Sequence, residues 1–167
     1  MPTTKENLQQ AFAGESQANR KYLAFAKKAE ADGFPQVAKL FRAAAEAETV
    51  HAHAHLRVLG GVQGTAENLK AAIAGEAHEY QSMYPGFVKA AEAEGNAGAL
   101  RSFRLAMTVE RTHHELYEKA LSAVQGKKDL PAAPIYVCPV CGHTEVGGAP
   151  DACPVCGAAK DKFQEIR

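Results

Sequence analysis

Residues 22–51 read YLAFAKKAEADGFPQVAKLFRAAAEAETVH, and residues 84–113 read YPGFVKAAEAEGNAGALRSFRLAMTVERTH. Sliding the chain by 62 positions lays Tyr22 on Tyr84, Phe25 on Phe87, Gly33 on Gly95, Phe41 on Phe103, Glu48 on Glu110 and His51 on His113, with twelve identities in thirty positions. Shared Ala-rich composition does not align Tyr, Phe, Gly, Glu and His at one offset, so the stretch is a duplicated unit. Apolar residues recur at three and four within each copy, and a glycine interrupts each, which is the pattern of a helix, a tight turn and a second helix.

Four helices are expected. The first runs from about Thr4, as N-cap, to Ala31 and stops at Asp32-Gly33. Pro35 suits the first turn of the second, which ends before Gly60-Gly61. The third spans Thr65 to Glu94, and Pro85 inside it must kink the helix or open its hydrogen-bond ladder. Asn96 caps the fourth, which Gly126 terminates. Short joints between four amphipathic helices imply an all-α, antiparallel four-helix bundle over residues 1–126. Residues 127–134 are charged and then proline-rich, and read as a stiff linker into a small four-cysteine domain at 135–167.

Bulk properties exclude several classes of function. Nineteen basic and nineteen acidic residues cancel, so there is no electrostatic case for nucleic acid or for an anionic membrane surface. The N-terminus is polar, and no run approaches the roughly 18 apolar residues that span a bilayer. A cytoplasmic protein is expected. The four cysteines form two Cys-x-x-Cys pairs, which in a reducing compartment are metal ligands rather than disulfides.

The second and fourth helices each carry Glu-x-x-His, as Glu48 with His51 and Glu110 with His113. A separation of three sets both side chains on one helical face. Glu15 on the first helix and Glu76 with Glu79 on the third supply further carboxylates, and these interrupt otherwise apolar stripes: Glu15 is seven residues from Leu8 and from Tyr22, and Glu76 is seven from Leu69. Buried uncompensated carboxylates cost several kcal/mol each, roughly, so two divalent cations are implied. A Glu from each of two helices plus Glu-x-x-His from the other two is the two-metal site of ferritin-like bundles. Oxygen and imidazole donors suit iron or manganese better than zinc. His53, His55, His78 and His114 are expected outside the ligand set, with His55 the most arguable because it lies seven residues from Glu48. Tyr22 and Tyr84 hold equivalent places and are candidates to orient ligand carboxylates through their hydroxyls, or else are core aromatics.

Cys138-Pro-Val-Cys141-Gly and Cys153-Pro-Val-Cys156-Gly are two copies of one metal knuckle. Four thiolates in a tetrahedron hold zinc, as a structural ribbon, or one iron, as a one-electron carrier. Tyr136 and Phe163 beside the knuckles are placed to shield such a carrier.

Taken together, Glu15, Glu48-x-x-His51, Glu76-x-x-Glu79, Glu110-x-x-His113, Tyr84-Pro85 and the knuckles at 138–157 resemble the rubrerythrin family over essentially the whole chain. The resemblance implies that these seven Glu and His residues ligate two irons, with Glu48 and Glu110 bridging, and that the cysteine domain resembles rubredoxin and holds one iron. At the offset of 62, Glu79 meets Gln17, so the duplication supplies no counterpart. In the family this extra glutamate is associated with one iron moving between a carboxylate and a histidine, here Glu79 and His51. The implied reaction is reduction of hydrogen peroxide to water, with electrons from an external NAD(P)H-dependent reductase or a rubredoxin, in a homodimer with transfer between subunits. The rival readings are a ferroxidase or oxygen-reducing oxidase, and a zinc-ribbon interaction protein on a metal-stabilised helical scaffold.

Overall fold

Thr3, one residue earlier than expected, caps the first helix: its Oγ1 accepts from the Glu6 N–H at 3.2 Å, and the Glu6 carboxylate accepts from the Thr3 N–H at 2.6 Å. This reciprocal pair satisfies two of the amides that a helix start leaves without partners. The computed structural model describes residues 1–167. It contains four long helical stretches and a small C-terminal sheet, in two compact units, Met1–Gln63 and Gly64–Arg167.

The first unit is a hairpin of α1 (Thr4–Ala31) and α2 (Pro35–Val58). Gly33 takes a φ of 83°, and the Phe34 N–H reaches back to the Ala29 carbonyl at 2.8 Å, closing the end of α1. Ala26, Ala29, Ala38, Ala45 and Ala52 are buried, so small side chains let the helices approach closely. Asn19 crosses the hairpin, donating from Nδ2 to the Ala45 carbonyl at 2.7 Å and to Thr49 Oγ1 at 2.8 Å. Tyr22, Phe25 and Phe41 form an aromatic trio, with ring centroids 5.6 to 6.3 Å apart.

The second unit repeats that hairpin. Tyr84, Phe87 and Phe103 make the same trio at 5.5 to 6.2 Å, and Arg104 pairs with Glu92 as Arg42 pairs with Glu30. Gly95 has a φ of 65°, and the Asn96 N–H reaches the Ala91 carbonyl at 2.9 Å. The third helix is not continuous. It is divided into α3 (Thr65–His78), a π-helical turn (Glu79–Met83) and α4 (Tyr84–Ala93), and is followed by α5 (Ala97–Gln125).

The π turn sits where Pro85 was expected to disturb the ladder. Proline has no N–H to donate, and the Tyr84 N–H bonds five residues back, to Glu79. One extra residue is thereby accommodated. Between Thr4–Glu15 and Thr65–Glu76 the repeat runs at an offset of 61, with eight identities in twelve positions, and it shifts to 62 from Tyr84 onward. Glu15 and Tyr22 are seven apart whereas Glu76 and Tyr84 are eight apart, and the π turn absorbs the difference.

The C-terminal sheet has β1 (Ile135–Val137) in the centre, antiparallel to β2 (Thr144–Val146) and to β3 (Gln164–Ile166). Within the same unit β2 touches α5, and Gly142 lies against Val109, which is 2 % exposed.

At the end of α5 the left-handed residue is Lys127, with a φ of 53°, while Gly126 keeps a φ of −77°. A side chain in this conformation costs about 1 kcal/mol that glycine avoids. Lys127→Gly is therefore expected to stabilise the protein by about that amount in urea unfolding, and an unchanged or lower midpoint would contradict the assignment.

Candidate metal centres

Each helical hairpin brings two carboxylates and one imidazole together. In the first, Glu15 on α1 and Glu48 and His51 on α2 place ligand atoms within 4.8 Å of one another. His51 Nδ1 is 2.9 Å from Glu48 Oε2 and 4.0 Å from Glu15 Oε1. In the second, Glu76 on α3 joins Glu110 and His113 on α5, with His113 Nδ1 2.9 Å from Glu110 Oε2 and 3.9 Å from Glu76 Oε1. Atom by atom, the second cluster is the first repeated.

The glutamates are less enclosed than their apolar stripes implied. Side-chain exposure is 31 % for Glu15, 19 % for Glu48 and Glu76 and 17 % for Glu110, and His51 is 55 % exposed.

Crowding of like charges is nonetheless visible in the pKa values. Glu15 is raised, first because it shares a hydrogen bond with Glu48 and then by burial, while Glu48 is lowered by that bond and by His51. Burial raises Glu76, the charge of Glu110 adds to it, and His113 partly offsets both. Crowded carboxylates with an imidazole nitrogen facing them are a donor set suited to a divalent cation.

Glu79 opens the π turn and stands outside both three-residue clusters. It lies near the second: burial and the charge of Glu110 raise its pKa, while His78 and His113 lower it. Tyr84 is also raised, by burial and then by Glu79, Glu110 and Glu76. Tyr22 and Tyr84 both sit in the aromatic trios, and neither hydroxyl makes a hydrogen bond. Of the histidines set aside, His114 pairs with Glu118 at 3.6 Å and packs edge-on against Tyr80; in the C-terminal domain, His143 pairs with Glu145 at 3.2 Å. None of His53, His55, His78 and His114 joins a metal cluster, although His55 is close enough to lower Glu15.

The third cluster is Cys138, Cys141, Cys153 and Cys156, with sulfur atoms within 4.8 Å. Cys138 and Cys156 are 3.6 Å apart, as are Cys141 and Cys153. Both knuckles close in the same way: the Gly142 N–H donates to the Cys138 carbonyl at 2.8 Å and the Gly157 N–H to the Cys153 carbonyl at 2.9 Å, with φ of 87° and 76°. Burial works against the Cys138 thiolate, but the amides of Val140 and Cys141 and the Cys156 thiol outweigh it and bring the thiol to about 7. Burial pushes Cys141 and Cys156 up. Four sulfurs crowded in this way are a donor set for a single cation.

Residues 6–121 match the family described as Rubrerythrin, and residues 136–164 match the description "Rubrerythrin, rubredoxin-like domain". The chain belongs to the rubrerythrin family. It is similar to rubrerythrin-2 of Clostridium acetobutylicum, 36 % identical over 96 % of this chain and 95 % of that one, and to nigerythrin of Nitratidesulfovibrio vulgaris, 34 % identical over 96 % and 85 %. The solved structure titled "Partially Reduced State of Nigerythrin" superposes with a TM-score of 0.59 at 32 % identity, covering 99 % of this chain and 88 % of that one. Rubrerythrins are di-iron oxidoreductases of the peroxidase type, active in oxidative stress. The Glu/His groups and the four cysteines fit the iron sites of the family, and the four-cysteine region is rubredoxin-like.

Because its folded pKa is raised, Glu76 favours folding fully only below the ordinary carboxylate range, and that contribution is lost as pH rises through the folded value. In metal-free protein, Glu76→Gln should therefore melt above the wild type at pH 7. The gap should close as pH falls into the carboxylate range. A gap of opposite sign, or one indifferent to pH in thermal unfolding, would contradict the charge argument.

Proposed function

We propose that the chain is a peroxidase that reduces hydrogen peroxide to water at a two-iron site held by Glu15, Glu48, His51, Glu76, Glu79, Glu110 and His113. Iron at Cys138, Cys141, Cys153 and Cys156 relays electrons from an external NAD(P)H-dependent reductase or a rubredoxin. The observation that carries this reading is the pair of repeat-related clusters, each aiming one imidazole Nδ1 at two carboxylates, in a chain that also carries a four-sulfur cluster. When bound, the two irons supply two electrons to the O–O bond, so that hydrogen peroxide with two protons and two electrons gives two waters.

The chain's own residues set the terms of that reaction. The clustered glutamates hold four of the ligand carboxylates in two matched sets, and the two imidazoles present Nδ1 to them. Glu79 is the carboxylate the duplication leaves without a counterpart, and the asymmetry it creates supports an exchange of ligand roles with His51 between oxidation states. Tyr22 and Tyr84 cap the aromatic trios at corresponding places and are the candidate hydrogen-bond donors to that site once it is loaded.

The organisation proposed is a ferritin-like helical domain at 1–126, a linker at 127–134 and a rubredoxin-like domain at 135–167, consistent with family matches that end at 121 and resume at 136. We place the protein in the cytoplasm as a homodimer. No helix is long and apolar enough to cross a membrane, and four cysteines without disulfides suit a reducing compartment.

Stopped-flow mixing of anaerobically reduced, iron-loaded protein with hydrogen peroxide and, separately, with dioxygen tests the reading. Reoxidation should be faster with peroxide; faster reoxidation by dioxygen would favour an oxidase. Glu79→Ala should slow the peroxide reaction by about tenfold or more while iron content holds. An unchanged rate would remove the ligand exchange, and zinc at the cysteines of protein made with ample iron would remove the electron relay.

A further inference from the structure

Asn19 is the only polar side chain buried between two helices, at 7 % exposure. It lies one turn beyond Glu15 on α1, and its acceptors flank Glu48 on α2: Ala45 stands three residues before that glutamate and Thr49 one after. A carbonyl can only accept, so the amide nitrogen must face Ala45, and its two N–H groups are engaged at 2.7 and 2.8 Å. Thr49 Oγ1 accepts one of them and sends its own proton to the same Ala45 carbonyl at 3.2 Å. The helices cannot slide past one another here without breaking both bonds in a buried site.

Stability alone does not account for an asparagine at this place. Its Oδ1 is buried with no donor facing it, and an acceptor stripped of water without a partner opposes folding. Leucine has nearly the same size and carries no such penalty. The second hairpin also does without the device. At offsets of 61 and 62 Asn19 meets Tyr80 and Gln81, while Ala45 and Thr49 meet Met107 and Arg111. There Tyr80 packs against His114, Gln81 donates to the Tyr80 hydroxyl at 2.8 Å, and Arg111 turns to Glu115 at 3.3 Å.

What Asn19 does secure is register, at the level where the first cluster repels itself. Without a cation, Glu15 and Glu48 face each other, and a hairpin packed on small alanines could relieve that repulsion by sliding or splaying. We propose that Asn19 is a positioning residue for the first metal cluster, bolting α1 to α2 so that Glu15 stays against Glu48 and His51 before a cation arrives. This rests on the reading of that cluster as a metal site. A preformed donor set binds more tightly, because none of the binding energy is diverted to drawing the helices together. A buried asparagine that fixes register at a cost in stability plays the same part between the paired helices of coiled coils.

The test uses the full chain with zinc at the four cysteines and a His113→Ala background, which leaves one cluster with its imidazole. Calorimetric titration with cobalt(II) should show the dissociation constant of that cluster raised about tenfold or more by Asn19→Leu. Thr49→Val, which removes one acceptor and keeps the shape, should raise it in the same direction. In metal-free protein, Asn19→Leu should melt at or above its parent. An unchanged constant in both variants overturns the proposal. A lower melting midpoint of Asn19→Leu alongside its weaker binding also overturns it, since a loosened fold then accounts for the loss. A parent that binds no cobalt beyond its cysteines removes the metal reading, and the proposal with it.

Discussion

Everything in the helical part of this chain depends on an unfavourable interaction: carboxylates forced together on a helical face that would otherwise be apolar. Glu15 and Glu48 are close enough to share a proton, and Glu76 is raised by burial and by Glu110. An Ala-rich interior is the complement to that crowding. Ala26, Ala38, Ala45 and Ala52 give little apolar area for a hairpin of this length, so the helices come close but gain modestly from burial. A cation that offsets the carboxylate charge then contributes to folding as well as to chemistry.

Duplication explains how such a site was built from few decisions. The two hairpins repeat their closing glycine, aromatic trio, Arg–Glu pair and Glu-x-x-His cluster. The one break in the correspondence is the π turn at Glu79–Met83. It inserts a residue between Glu76 and Tyr84 without rotating either from its face, and the residue that opens it is the carboxylate without a counterpart. A local relaxation of the helix ladder thus accompanies the asymmetry between two otherwise matched clusters.

Much of this was legible in the sequence for identifiable reasons. Gly33 and Gly95 mark helix ends because only glycine adopts a positive φ without strain, and the Glu-x-x-His spacing fixes a shared face by helix geometry alone. Cys-x-x-Cys with a following glycine dictates the knuckle. Other features depended on longer-range facts. The N-cap fell on Thr3 because its capping partner is Glu6, and the two adjacent threonines differ only in that register. α5 ends at Gly126 as expected, but the left-handed φ falls on Lys127, which the glycine did not announce. Partial exposure of the glutamates could not be read from stripes, which report the face but not how much of it is covered. The π turn left a trace, the slip of the repeat from 61 to 62, which a single offset conceals. The Asn19 bonds left none, since residues 26 and 30 apart in sequence meet only through the pairing of α1 with α2.

The most direct test of the charge argument is thermal unfolding of the full metal-free chain at pH 7 during anaerobic titration with ferrous iron, followed by the helical circular dichroism. Binding that offsets crowded carboxylates adds about 2.7 kcal/mol at a ligand concentration one hundred times the dissociation constant. The melting midpoint should therefore climb with added iron and level off once the clusters fill, and the climb should largely vanish in a His51→Ala, His113→Ala variant. A metal-free chain that already melts as high as the loaded one, with a midpoint indifferent to iron, would contradict the account.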